Sequence, residues 1–135
     1  MNIEDEMFNR AKEFFLKRYP DNKAGGVAVL RTEDNDFLIS VWPECPNSSA
    51  DLCAEVGAIC EAHKLNKKVT HSLCVCRQND NGPLEILSPC GICQERLYYW
   101  GKDLKCAIST KDNSVVFKTL EELQPYYWLE KNNER

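Results

Sequence analysis

The chain lacks any apolar run approaching the ~20 residues that cross a bilayer, and it lacks the positively charged start of an export signal. It opens instead on the acidic Met1-Asn2-Ile3-Glu4-Asp5-Glu6, so a cytoplasmic protein without a membrane partner is expected. Positive charge is also in short supply: 17 Lys and Arg against 21 Asp and Glu give a formal net charge of −4. The densest basic stretch, His63-Lys64 with Lys67-Lys68, reads as a solvated helix end and not as a face for a polyanion. Nucleic acid is therefore not an expected partner. No internal repeat, low-complexity segment or second domain is visible. The 135 residues are expected to form one domain, 1–135, that buries roughly two-thirds of its unfolded surface.

What the chain has in quantity is cysteine, eight residues in all. Without an export signal these are not expected to form disulfides. Cys45, Cys60, Cys74, Cys76 and Cys106 fall mostly within apolar runs and read as small core residues, although on a strand Cys74 and Cys76 would aim both sulfurs at one face. The other three thiols sit in two pieces, Leu52-Cys53-Ala54-Glu55 and Leu87-Ser88-Pro89-Cys90-Gly91-Ile92-Cys93. A helix with Ser88 as N-cap and Pro89 at its first position would put Cys90 and Cys93 one turn apart on one face, which is metal-ligand spacing. Ser48 and Asp51 have capping-box spacing ahead of the apolar series Leu52, Val56, Ile59 and Cys60, so Cys53 also reads as a helix start. Helix N-termini acidify thiols, and a metal deprotonates them outright. Three thiolates make a Zn²⁺ site with its fourth position open, and Glu55 is the nearby carboxylate that distinguishes catalytic from structural zinc.

Cys53-Ala54-Glu55 followed by Pro89-Cys90-Gly91-Ile92-Cys93 resembles the signature of the zinc-dependent cytidine deaminases, in the branch with three cysteine ligands. The motifs cover the middle of the chain, and the order of elements extends the likeness to nearly all of it. The resemblance implies one Zn²⁺ per chain on Cys53, Cys90 and Cys93, with Glu55 shuttling protons as hydroxide adds to C4 of a cytosine-type base and ammonia leaves. It also implies a small-molecule nucleoside substrate, cytidine or deoxycytidine, contacted at Glu44, Ala54 and Ser88. It further implies a homo-oligomer, a tetramer or a dimer, in which aromatics such as Tyr126, Tyr127 and Trp128 can close over a neighbour's site. Pyrimidine salvage is the role that follows.

The chain departs from the family pattern in three places. Trp42 stands where nucleoside-specific members carry an asparagine for the sugar, with Pro43 and Pro46 reshaping the loop around Glu44. Val56 stands where many members carry an arginine that offsets the thiolate charge. Gln94 replaces a further arginine, leaving Arg96 or Arg77 to reach in. These departures keep open a blasticidin S-type or other modified amino-heterocycle as substrate. A purely structural zinc domain would need a fourth ligand, from His71, Cys74 or Cys76. A redox C-x-x-C protein is disfavoured because metal would tie up the pair.

Taken in order, Ile3, Met7, Ala11 and Phe14 or Phe15 recur at helical spacing ahead of Pro20. Val27-Ala28-Val29-Leu30, the turn Asp34-Asn35-Asp36 and Phe37-Leu38-Ile39-Ser40-Val41 predict a hairpin. A helix to about residue 63, a strand over 69–76 and a short apolar run over 84–87 follow. A helix over 89–100 should then stop at Gly101. Strands over 104–109 and 115–117 and a capping box at Thr119-Leu120-Glu121-Glu122 complete the chain. Strand, helix, strand predicts a parallel crossover. The count gives an α/β chain, a three-layer α/β/α sandwich with a mixed sheet of about five strands, which is also the fold that the resemblance implies.

Overall fold

The first helix, α1 (Ile3–Arg18), is set by its ends and its stripe. The Asn2 side chain accepts the Asp5 N–H at 2.8 Å, and Glu4, Asp5 and Glu6 fill the first turn while Lys17 and Arg18 fill the last, each opposing the helix dipole. Met7, Ala11 and Phe15 are fully buried, whereas Phe14 is 39% exposed, so the stripe runs through Phe15. The structure, a computed structural model, describes residues 2–130.

Strand β1 (Gly25–Thr32) pairs antiparallel with β2 (Phe37–Val41) in the expected hairpin, with Asn35 in the left-handed region at φ 66°. On its other edge β1 pairs antiparallel with β3 (Val69–Arg77). The order β2-β1-β3-β5-β6 continues through β5 (Lys105–Ala107), parallel to β3, and β6 (Phe117–Thr119), with β4 (Glu85–Ile86) also pairing β3 in a six-stranded mixed sheet. The parallel pair is the expected crossover, with α3 (Gly91–Leu97) in the connection. The strand beyond the five expected is β4, inside the apolar run that leads to the second ligand piece.

Alternation along β1 separates the two faces. Val27 and Val29 join Met7, Phe15, Leu73 and Val75 beneath α1. Leu30 faces the opposite side, with Ala58, Ile59 and Ala62 of α2 (Val56–Leu65), Leu97 of α3 and Leu120 of α4 (Leu120–Leu123). Helices thus cover both faces, giving the three layers. The Thr119 side chain and Glu122 form the expected capping box at α4.

Helix boundaries depart from the sequence expectation where the ligand pieces lie. Ser48 begins a separate single 3₁₀ turn, Ser48–Ala50, capped by Asn47, and α2 begins only at Val56. Asp51 does not cap α2, because its carboxylate accepts the Cys45 N–H at 2.7 Å and closes the preceding loop. The buried face of α2 is Ala58, Ile59 and Ala62, while Leu52 is 45% exposed. Cys60 is exposed, not core, whereas Cys106 is fully buried. The N-cap of α3 is Cys90 and not Ser88. Ser88 instead donates its N–H to Ser109 Oγ at 3.0 Å and accepts the Ser109 N–H at 2.9 Å, tying the ligand loop to the end of β5. Helix α3 then tightens into a 3₁₀ turn, Tyr98–Trp100, and stops at Gly101, φ 105°, as expected. Strand β6 lies two residues later than 115–117, although Ile108 N–H still pairs with the Val116 carbonyl at 2.9 Å.

His71, on β3, packs edge-on against Phe117 with ring centroids 5.0 Å apart. Burial first, then the charges of Arg31 and Lys105, hold its pKa down to about 4, against a weaker upward pull from Glu4. The unfolded chain therefore binds the extra proton between about pH 6.5 and 4, and this contribution to stability, present above that window, is lost as pH falls through it. Thermal melts across the window should show a shallower loss of Tm for His71→Gln than for wild type; parallel curves would exclude His71 as the source.

Candidate metal centre

Cys53 lies in the turn just before α2, closed by the Val56 N–H on the Cys53 carbonyl at 3.1 Å. This turn is clamped to the sheet by Ser40 of β2, whose hydroxyl donates to the Ala54 carbonyl at 2.5 Å. The close approach requires Gly57, since a Cβ there would stand 2.8 Å from the Ser40 Cβ. Ser40 and Gly57 were not among the expected site residues, and their signal is slight: a serine inside an apolar strand and a glycine in the first turn of a helix.

The fold brings Cys53 to the start of α3. The Sγ atoms of Cys53, Cys90 and Cys93 all lie within 4.8 Å of one another, with Cys53 and Cys90 at 3.2 Å. Two thiolates on a tetrahedral zinc ion, each ~2.3 Å away, are about 3.8 Å apart, so the cluster has the right size and the right soft donors for that ion. It is the one candidate metal-holding group among the described residues, and His71, Cys74 and Cys76 are not part of it.

The three thiols differ in their electrostatics. Burial works to raise the Cys90 pKa, but the Cys93 and Ile92 backbone N–H groups and the Cys53 thiol outweigh it and hold Cys90 below its ordinary value. Cys53 is raised by burial and then by Cys90, and Cys93 is raised much further by burial and by the Glu55 carboxylate. A divalent cation removes this conflict, because it repays the charge on all three sulfurs at once.

Glu55 is the N-cap residue of α2 and is only 4% exposed. Burial raises the pKa of its carboxyl, against the pull of its own backbone N–H, a hydrogen bond with Cys93 and the charge of Arg96. Two residues apart on a regular helix, Cys53 and Glu55 would point apart. The turn brings both to the thiol cluster.

Arg96 Nη1 lies 3.7 Å from Cys93 Sγ, so this arginine is the cation at the cluster. Arg77 is held elsewhere: its guanidinium donates to the Gly82 and Lys23 carbonyls at 2.8 and 3.2 Å and lies over the Phe15 ring. Gln94 has its own task, donating to the Pro89 carbonyl at 2.8 Å and accepting from Gln124 at 2.8 Å.

A cavity of about 270 Å³ adjoins the centre at Ala54, lined also by Gly25, Gly26, Trp42, Cys74, Cys76 and Leu87. Cys74 and Cys76 do share a face, as their spacing predicted, and that face is the cavity wall. Glu44 is exposed and lines a separate groove of about 730 Å³. Ser88 is half-buried and engaged by Ser109. Of the C-terminal aromatics, Tyr127 is buried and stacked on Tyr98 at 3.7 Å, whereas Tyr126 is 96% and Trp128 63% exposed.

No family model matches the chain. In structure it is similar to the cytidine deaminase from Bacillus anthracis, with 50% identity, a TM-score of 0.91, and coverage of 96% of this chain and 91% of that one. The cytidine deaminase from Mycobacterium leprae shares the fold at 23% identity, with a TM-score of 0.72 over 93% of this chain and 99% of that one. In sequence the chain is 28% identical over 125 residues to the blasticidin-S deaminase of Bacillus cereus, covering 89% of this chain and 88% of that protein.

Removing the cation beside Cys93 leaves the thiolate charge less compensated. Arg96→Gln should weaken zinc retention about tenfold in competition with a chromophoric chelator, within the range for outer partners of metal ligands. Arg96→Lys should recover part of it, and wild-type retention in Arg96→Gln would show that the arginine does not act on the metal.

Proposed function

The chain belongs to the cytidine deaminase family and is a deaminase, and on that premise we propose that it converts a cytosine-type nucleoside, cytidine or deoxycytidine, to the uracil-type product and ammonia. The observation that carries this reading is the buried Glu55 carboxyl placed against a cluster of three thiols. Cys53, Cys90 and Cys93 would hold one Zn²⁺, and their size and softness as donors support that ion. When bound, zinc supplies the Lewis acidity that makes water a nucleophile near neutral pH.

Glu55 carries the protons. Its carboxylate accepts one from the attacking water, passes it to the ring nitrogen next to C4, and delivers a proton to the departing amine. Burial suits it to this work, because a raised pKa lets the carboxyl hold a proton between steps. Cys90, with its thiolate stabilised by backbone N–H groups, anchors the ligand set, and Arg96 offsets its negative charge. Ala54 forms part of the wall against which the base would lie, and Glu44 and Ser88 are the further substrate contacts of this reading.

As one domain acting on free nucleosides, the protein would serve pyrimidine salvage in the cytoplasm. The eight free cysteines support a reducing compartment. A homo-oligomer, tetramer or dimer, is the assembly proposed, and the exposed Tyr99, Tyr126 and Trp128 support it. No helix among the described residues is long and apolar enough to cross a membrane. A second reading, a blasticidin S-type or other modified aminopyrimidine as substrate, is favoured by Trp42 in the cavity wall and by the similarity to the Bacillus cereus enzyme.

Glu55→Ala should lower the rate of loss of cytosine absorbance by about 10²- to 10⁴-fold, the usual contribution of a positioned acid-base group, while zinc stays at one per chain. Undiminished turnover in that variant would remove Glu55 from the chemistry.

A further inference from the structure

Trp42 is the one residue that lines both the cavity beside Ala54 and the larger groove outside it. Its N–H donates to the Gly26 carbonyl at 3.0 Å, continuing the β1–β2 pairing, so its backbone is fixed to the sheet. A Cβ on Gly26 would stand 3.6 Å from the Trp42 Cβ and 3.7 Å from the Ala54 Cβ, so the glycine sits in the seam between the tryptophan and the metal centre.

The two spaces differ in size and in chemistry. The inner one, at about 270 Å³, falls below the ~300–1,000 Å³ of sites that enclose a whole drug-sized ligand. Apart from the indole N–H, its lining side chains offer no nitrogen or oxygen. The outer one, at about 730 Å³, carries Arg18 and Lys23 together with Asp21 and Glu44. A flat aminopyrimidine ring suits the inner space, with its exocyclic amine toward the thiol cluster. Sugar hydroxyls held there would find no side-chain partner beyond the indole and would lose their bonds to water.

We propose that Trp42 separates a ring pocket from an ionic outer groove, and that among cytosine-type compounds the chain prefers an aminopyrimidine whose ring substituent extends past Trp42 and ends in a zwitterionic, amino-acid-like group. This inference rests on the deaminase reading for its ring chemistry, and on the outer groove alone for its substituent. The acids of the groove receive the ammonium and its bases the carboxylate. Plain nucleosides bind more weakly, because the sugar meets the apolar wall without reaching the charges.

Binding can be read without turnover by calorimetry on zinc-loaded Glu55→Ala protein. The probes are 1-(3-amino-3-carboxypropyl)cytosine, 1-butylcytosine and cytidine. The amino-acid derivative should bind at least about tenfold tighter than cytidine, and its margin over 1-butylcytosine should shrink to about twofold in Glu44→Gln and Lys23→Gln backgrounds. Trp42→Asn, which gives hydroxyls an amide donor and acceptor, should raise cytidine affinity about fivefold. Cytidine binding as tightly as the amino-acid derivative would overturn the proposal, as would a margin that survives loss of both charges. Deamination of the three probes by the wild-type enzyme is measured separately. If none is deaminated with one zinc per chain, the nucleoside-deaminase reading fails, while the order of binding still decides the groove.

Discussion

Three thiols and a carboxyl gathered within a few ångströms cannot all carry charge unless a cation joins them, and the rest of the structure is arranged to hold that crowd in place. Burial and mutual repulsion drive Cys53 and Cys93 toward the protonated form, and only Cys90 is eased the other way, by two backbone N–H groups at its helix start. Such a cluster does not assemble through its own attractions. It is set by hydrogen bonds one layer out: Ser40 on the Ala54 carbonyl, the reciprocal Ser88–Ser109 pair, and Gln94 on the Pro89 carbonyl. Each fixes a stretch of backbone next to one of the three cysteines and leaves the sulfurs themselves out of the bond.

The sheet makes this economical. Strand β2 supplies Ser40, the end of β5 leads to Ser109, and β3 with β4 delivers the chain to Cys90, so each clamp is anchored in paired backbone. The piece at Cys53 is not helical, and that is what lets it gather these groups. A tight turn lets residues two apart reach the same place, and a regular helix would have sent Glu55 away from the thiols.

Much of this was legible in the chain itself. Apolar periodicity marked α1 and the hairpin, the capping box marked α4, and the two cysteine pieces marked the three thiols that cluster, because each signal is local and physical. Helix starts were misplaced where a polar side chain had a distant alternative. Ser48 and Asp51 look like a capping box, yet Asp51 is spent on the Cys45 N–H; Ser88 looks like an N-cap, yet it is spent on Ser109. A capping residue and a loop clamp are the same residue types, and only the fold decides between them. The choice between Arg96 and Arg77 was open for the same reason. Nothing local shows that Arg77 is bonded to two carbonyls far along the chain. The shape of the space around Trp42, made by residues from four stretches besides its own, left no trace in any one of them.

Helix α3 is short, and three consecutive residues on it answer to three different neighbours. Gln94 ties the ligand loop to Gln124, Glu95 accepts from both Tyr127 and the Trp128 indole, and Arg96 faces Cys93. The Tyr127–Trp128 segment is thereby wired directly to the helix that carries Cys93. A pull on that segment would pass straight to α3 and to the thiols beside it. Helix α1 lies on the opposite face of the sheet, where a pull of the same size meets paired backbone before it meets α3.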